Sequence, residues 1–164
     1  MRYLGWVCAI LLGCSVLANT AQAKDDIHID IPVTLTEAKI VFNLDHPAFT
    51  GAEPTGLFFL RLMIERFKAE HTKATLVAIF HGANAHMLLN DQTYNQTQNW
   101  DGGNPFKEQI EALIREGVSI EECAESMRLN HWTNADLIPG AKVNTGANFR
   151  VVSLVQQGFV QIQP

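Results

Sequence analysis

Residues 117–130 have the sequence Gly117-Val118-Ser119-Ile120-Glu121-Glu122-Cys123-Ala124-Glu125-Ser126-Met127-Arg128-Leu129-Asn130, and the predicted fold is built around them. Residues 118–120 are short and apolar enough for a buried strand, whereas the chain from Glu121 onward contains helix formers and no Gly or Pro until Gly140. The pattern predicts that a strand passes directly into a helix here. Cys123 is expected in the first turn of that helix.

The position of Cys123 has opposing consequences for its thiol. Free backbone N–H groups and the positive end of the helix dipole favour the thiolate, the form that does sulfur chemistry. Glu121, Glu122 and Glu125 act the other way, because nearby negative charge disfavours a second one. Two interpretations follow: Cys123 is a reactive thiol, or it is a small buried hydrophobe, as most free cysteines are.

The first 23 residues are predicted to be a cleavable signal peptide. Arg2 supplies a positive charge, residues 4–18 form an apolar run, and Ala21-Gln22-Ala23 is a suitable cleavage site. The run is too short to span a bilayer comfortably, so no stable membrane span is expected. A periplasmic location follows for residues 24–164. A lipoprotein signal ending at Cys14 ranks second, because Leu12 fits that pattern poorly.

Cleavage at this site would change both the cysteine count and the charge. Cys8 and Cys14 would be lost, so Cys123 would be the one cysteine left and an intrachain disulfide would be impossible. Loss of Arg2 would leave 11 Lys and Arg against 17 Asp and Glu, a net charge of −6. With no basic cluster anywhere, neither nucleic acid nor an anionic membrane surface is expected as a partner.

Apolar runs and helical periodicity alternate along residues 24–164, which are predicted to form a single domain. Residues 24–38 are expected to be an extended N-terminal arm or edge strand, and residues 90–104 the least ordered segment. Strands are predicted at 39–45, 73–80, 118–120, 141–143 and 159–162, and helices at 54–70, 83–89, 105–116, from Glu121 onward, and from a cap at Asn144 or Thr145 to Gly158. Alternation of this kind predicts a three-layer α/β fold with a mainly parallel sheet of about five strands.

Chemically useful side chains follow three of these strands. In an open parallel sheet, ligands bind outside the carboxyl ends of the strands, and His46, His81 and Cys123 all fall there. His46 and His81 are therefore candidates for lining a ligand crevice, and Cys123 is the candidate catalytic residue. No cofactor is predicted. A metal site built from Cys123 and histidines is an alternative, although His81 and His86 lack the i, i+4 spacing of ligands on one helix face.

Several of these features together resemble a known family. Gly117-Val118, Cys123 and Ser126-Met127-Arg128, the strand at 39–45, His81-Gly82 and the helix and strand after residue 146 resemble the DsrE/DsrF-like family of small sulfur-relay proteins. The resemblance covers roughly residues 39–164. It implies association into trimers or hexamers, and a sulfurtransferase-like activity in which Cys123 carries a persulfide between a donor and an acceptor protein.

The competing hypothesis is a non-enzymatic binding function. The predicted helix at 54–70 has apolar residues well beyond one stripe, which indicates burial by the sheet on one side and by another layer or subunit on the other. The chain would then be an oligomeric binding module, in which Cys123 packs and residues 57–67 form a subunit interface.

Overall fold

A computed structural model describes residues 27–164. The predicted signal peptide and the alternative lipid attachment at Cys14 lie outside the described residues. The chain divides into two compact units, Met1–Pro32 and Val33–Pro164. Residues 27–32 of the first unit are exposed and contain neither helix nor strand, and residues 33–36 of the second also contain no strand. The edge-strand alternative for the arm is therefore wrong over residues 27–36.

The second unit alternates strands and helices, with bounds as follows. The strands are β1 (Glu37–Leu44), β2 (Phe49–Thr50), β3 (Glu53–Pro54), β4 (Lys73–Phe80), β5 (Ser119–Cys123), β6 (Lys142–Asn144) and β7 (Val160–Ile162). The α-helices are α1 (Thr55–Ala69), α2 (Asp91–Gln98), α3 (Lys107–Arg115), α4 (Ala124–Leu129) and α5 (Ala147–Gln156). Two 3₁₀ helices cover Gly82–Leu88 and Asn134–Asp136. Among residues 27–164, no helix combines the length and apolar character needed to cross a bilayer.

Five strands form one parallel sheet in the order β6-β5-β4-β1-β7. The two eight-residue strands β1 and β4 pair along their whole length at its centre. They are the most continuously apolar strands, as expected where both faces of a parallel sheet are covered. The prediction of a mainly parallel sheet of about five strands is confirmed. β2 and β3 form a separate small antiparallel pair.

Helices cover both faces of the sheet, which confirms the three layers. On one face, Phe42, Phe80, Leu60 and Ile110 belong to a large core between the sheet, α1 and α3. On the other face, a smaller core lies beneath α5; its buried members are Val41, Val77, Ile79, Cys123, Ala147, Val151 and Leu154. Side chains alternate between faces along a strand, so Glu122 and Cys123 belong to opposite faces.

The segment predicted to be least ordered contains a helix, so that prediction is wrong for residues 91–98. The side chain of Asn90 caps α2 by accepting a hydrogen bond from Thr93 N–H at 2.9 Å. Asn104 Nδ2 donates to the carbonyls of Met87 (2.8 Å) and Leu89 (2.6 Å). Polar caps and side-chain bonds stabilise this region, and such contacts leave no apolar periodicity in the sequence.

The helix around Cys123 also differs from the prediction. β5 continues through Glu121 and Glu122 to Cys123, so Cys123 is the N-cap of α4 and does not lie in its first turn. Parallel pairing of Glu121 with Ile79 and Lys142 outweighs the helix propensity of glutamate. α4 ends at Leu129, so His131-Trp132 lies just past it, as expected.

Candidate functional site

The site lies where β1, β4 and β5 end side by side. Leu44 is the register partner of Phe80, and Phe80 is the register partner of Glu122. The residues that follow these positions, Asp45-His46, His81-Gly82 and Cys123, are thus at one edge of the sheet, as the strand predictions required.

Cys123 lies between the starts of two helices. It is the N-cap of α4, and its Sγ accepts a hydrogen bond at 3.3 Å from the N–H of Ala147, the first residue of α5. The predicted capping of α5 by Asn144 or Thr145 is wrong. The N-cap of α5 is Gly146, which has no side chain to cap the helix. The thiol of Cys123 thus satisfies one of the free N–H groups at the start of α5.

Burial and hydrogen bonding act on this thiol in opposite directions. Cys123 is only 5% exposed, and this burial alone would raise its pKa. The Ala147 N–H, 3.3 Å from the sulfur, and the Ser126 hydroxyl bond to Sγ, and with the nearby backbone N–H groups of Ser126 and Glu125 they lower the pKa below its ordinary value. The result is a buried sulfur in a neutral, donor-rich setting that favours the thiolate.

Two of the three neighbouring carboxylates are paired with arginines. Glu121 accepts two hydrogen bonds from Arg150, from Nε and Nη2, both at 2.8 Å, and its side chain is 5% exposed. Glu125, on the exposed side of α4, pairs with Arg128. Arg128 and Arg150 therefore offset the negative charge next to Cys123.

Glu122 has no such partner. Its side chain is fully buried, its Oε1 accepts the Cys123 N–H at 3.0 Å, and its Oε2 has no partner among the described residues. The pKa of Glu122 is raised to about 9; burial is the largest cause, the Cys123 N–H bond acts against it, and the charge of Cys123 acts with it. Its surroundings therefore favour the protonated acid over the carboxylate.

Ser126 links the end of β4 to the sulfur. Its Oγ accepts the Gly82 N–H at 3.2 Å, and its hydroxyl bonds to Cys123. Gly82 has a φ of +56°, and a Cβ there would lie 2.8 Å from the Asp45 carbonyl oxygen, so glycine is required. Sequence reasoning did not assign a role to Ser126. Its position three residues after Cys123 is the signal that could have identified it, since N–H and hydroxyl groups of the first helical turn point back to an N-cap residue.

His81 is held near this link and is partly buried. Its Nε2 lies 2.9 Å from Asn43 Oδ1, which only accepts, so Nε2 carries the proton. Burial lowers the pKa of His81 below its ordinary value, with Asp45 acting in the opposite direction. His81 is therefore a neutral imidazole at neutral pH, with Nδ1 available to accept a proton.

His46 belongs to a more exposed cluster at the end of β1. Its Nδ1 lies 2.5 Å from Asp45 Oδ1, to which Gln163 Nε2 also donates at 3.0 Å. The hydrogen bond from His46 lowers the pKa of Asp45, and the bond from Gln163 acts in the same direction. Burial of Asp45 acts in the opposite direction. Neither His46 nor His81 forms a hydrogen bond to Cys123 within the described part of the chain; Gly82 and Ser126 provide the connection.

The structure does not bring together Cys123 and the histidines of the alternative metal site. Across residues 27–164, no group of three or more His, Cys, Asp or Glu side chains is arranged to hold a metal ion. The histidines contact other groups instead: His86 Nδ1, for example, bonds to the Ala83 carbonyl at 2.7 Å.

Fold and site together define a class: a parallel α/β protein with a cysteine at the junction of a strand and a helix. The sequence matches the profile of the DsrE/DsrF-like family over residues 38–164, and the chain belongs to that family.

Solved structures share the fold at low sequence identity. A protein of unknown function, MTH1491 from Methanobacterium thermoautotrophicum, matches with a TM-score of 0.60 and 16% identity, over 77% of this chain and 99% of that one. The ychN protein from E. coli matches with a TM-score of 0.55 and 18% identity, over 77% and 99% of the two chains. At this identity the likeness concerns the fold alone. No curated protein matches the chain significantly.

Proposed function

We propose that this protein carries sulfane sulfur on Cys123 as a persulfide and passes it between a donor and an acceptor in the periplasm. The observation that carries the proposal is the set of neutral donors on the Cys123 sulfur, which lowers the pKa of the thiol despite its burial. Membership of the DsrE/DsrF-like family supports the same chemistry. The net negative charge of the chain and its lack of a basic cluster favour protein or small-molecule partners over nucleic acid.

The transfer requires no external oxidant or reductant. The Cys123 thiolate attacks the outer sulfur of a donor persulfide, R–S–SH; the new S–S bond forms on Cys123 as the donor S–S bond breaks, and R–S⁻ leaves with the electron pair. An acceptor thiolate then attacks the outer sulfur of the Cys123 persulfide, and Cys123 leaves as the thiolate. The hydrogen bonds from Ala147 and Ser126 stabilise the negative sulfur at the start and end of this cycle.

His81 is the proposed proton partner. The thiol must lose a proton before the first attack, and a neutral imidazole with a free Nδ1 accepts one at neutral pH. Ser126 bonds to both Cys123 and the backbone N–H of Gly82, the residue after His81, so it ties the two chain segments together without itself bonding to the imidazole in residues 27–164.

The experiment combines alkylation with sulfur loading. We expect iodoacetamide to modify folded wild-type protein at Cys123 with a midpoint in pH below that of an ordinary thiol. Polysulfide should add the mass of one sulfur atom to the wild type and none to Cys123→Ser. If folded protein neither reacts with iodoacetamide nor takes up sulfur, sulfur carriage is rejected.

The low exposure of Cys123 favours a second candidate, a non-enzymatic oligomeric binding module. Here the thiol packs with Val41, Ile79 and Val151, and its function is structural. The two candidates differ in their response to Cys123→Ala, which ends sulfur uptake in the first and leaves binding and assembly intact in the second. Unchanged function in the organism with Cys123→Ala would favour the binding module.

A further inference from the structure

We propose that Glu122 is a positioning residue that controls the local charge at the Cys123 sulfur. Its buried carboxyl stays protonated, so that Cys123 ionises without a second negative charge beside it. This inference rests on the proposed function, since it concerns how the sulfur-carrying thiolate is stabilised. It gives a role to a buried acidic group that the transfer steps themselves do not use.

The contacts of Glu122 show why the acid is neutral. One oxygen accepts the Cys123 N–H, and the other is buried without a partner among the described residues. An ionised carboxylate needs several donors when it is removed from water, and here it has one. The register partners of Glu122 in the neighbouring strands are Phe80 and Val143, which offer apolar side chains and no charge.

The other charged groups near this strand end are already paired. Glu121 is on the opposite face of the sheet with Arg150, and Glu125 is exposed with Arg128. Neither arginine forms an ion pair with Glu122 in residues 27–164. Cys123 is the ionisable group that acts on Glu122, and a thiolate there favours the neutral acid. The two residues are thus coupled, with the negative charge on sulfur and the proton on carboxyl oxygen.

The charge of Glu122 can be measured directly in the wild-type protein. Carbon-13 labelling of glutamate side chains, with the Glu122 signal assigned by its loss in Glu122→Gln, should give a titration midpoint near 9. The midpoint should fall in Cys123→Ser, because the neighbouring thiolate is gone. A wild-type midpoint near the ordinary 4.5 would overturn the proposal.

The reactivity of Cys123 provides a second measurement that needs no assignment. The ratio of alkylation rates with anionic iodoacetate and neutral iodoacetamide reports the local charge. In the wild type this ratio should be constant around neutral pH and fall above pH 9 as Glu122 ionises, whereas in Glu122→Gln it should stay constant. Glu125→Gln, which removes an exposed and paired carboxylate, is the matched control and should keep the wild-type profile.

The outcomes separate this inference from the proposed function. If Glu122→Gln lowers the alkylation midpoint of Cys123 by about one pH unit or more, Glu122 was ionised at neutral pH and the inference is wrong. If neither reagent modifies folded protein, sulfur carriage is rejected, and the carbon-13 titration still decides whether Glu122 holds its proton.

Discussion

At the scale of single residues, neutral donors rather than a cation surround Cys123. The Ala147 N–H and the Ser126 hydroxyl bond to the sulfur, and the two nearby arginines are paired with Glu121 and Glu125. A thiolate stabilised by dipoles alone retains its charge for a reaction partner, whereas a paired cation would partly neutralise it. This arrangement suits the proposed role of the sulfur as alternately nucleophile and leaving group.

Ser126→Ala tests this arrangement at a single hydroxyl. Removal of one hydrogen bond to an ionised sulfur should raise the pKa of Cys123 by roughly one pH unit, since such bonds contribute about 1.5 kcal/mol. The pH dependence of the iodoacetamide rate measures the change. Ser153→Ala, which removes from α5 a hydroxyl that accepts a hydrogen bond from Gln157, is the control and should leave the midpoint unaltered. An unchanged midpoint in Ser126→Ala would show that the backbone N–H groups suffice.

At the scale of secondary-structure elements, the turn after β4 positions the Gly82 N–H that bonds to Ser126 beside Cys123. His81 N–H bonds to the Leu44 carbonyl at 3.1 Å, and Ala83 N–H bonds to the Asp45 carbonyl at 3.0 Å. These bonds hold the 3₁₀ helix Gly82–Leu88 against the end of β1. Only glycine fits at position 82, because a Cβ there would lie 2.8 Å from the Asp45 carbonyl oxygen. The Gly82 N–H then reaches Ser126 on α4.

Gly82→Ala should therefore be more costly than an ordinary glycine substitution. Gly51 is the matched control, because its φ of +65° carries the same strain while a Cβ there meets nothing within 4 Å. We expect Gly51→Ala to lower the free energy of unfolding by about 1 kcal/mol. Gly82→Ala should lower it by roughly 3 kcal/mol, because the clash with Asp45 adds to the strain. Urea denaturation measures both, and equal costs would contradict the close approach.

At the scale of the whole molecule, apolar side chains remain exposed on two helices. On α1, Phe59 is 42% and Leu62 is 38% exposed, although the opposite side of the helix is in the core. On α5, Phe149, Val152 and Val155 are also exposed. Contiguous exposed apolar residues mark interfaces more often than scattered ones do, which is consistent with the proposed homo-oligomer.

Leu62→Glu tests whether α1 forms the subunit interface. A carboxylate buried without a partner should weaken association by on the order of a hundredfold, and sedimentation velocity should show a shift from oligomer to monomer. Phe149→Glu on α5 tests the other exposed apolar surface, and dissociation by Leu62→Glu alone would assign the interface to α1. Circular dichroism of both variants checks the fold. A wild-type monomer, or dissociation by Phe149→Glu alone, would show that α1 is not the interface.

Local sequence was sufficient to predict much of the fold. The apolar runs of β1 and β4 and the periodicity of α1, α3 and α5 predicted a parallel α/β protein, because a strand or helix buried in a core must repeat apolar side chains at its own period. α2 was missed because its contacts are polar. The length of β5 was underestimated, because Glu121 and Glu122 favour a helix until neighbouring strands pair with them.

Sequence patterns were enough to establish the fold class, the family and the position of Cys123 at a strand end. The electrostatic character of that cysteine depends on contacts that form only in the folded chain. Ala147 and Arg150 are 24 and 29 residues from the groups they contact, and no local pattern indicates that they meet Cys123 and Glu121. Charge states depend on which distant donors and cations surround a group and on how much water is excluded, and both are properties of the folded chain.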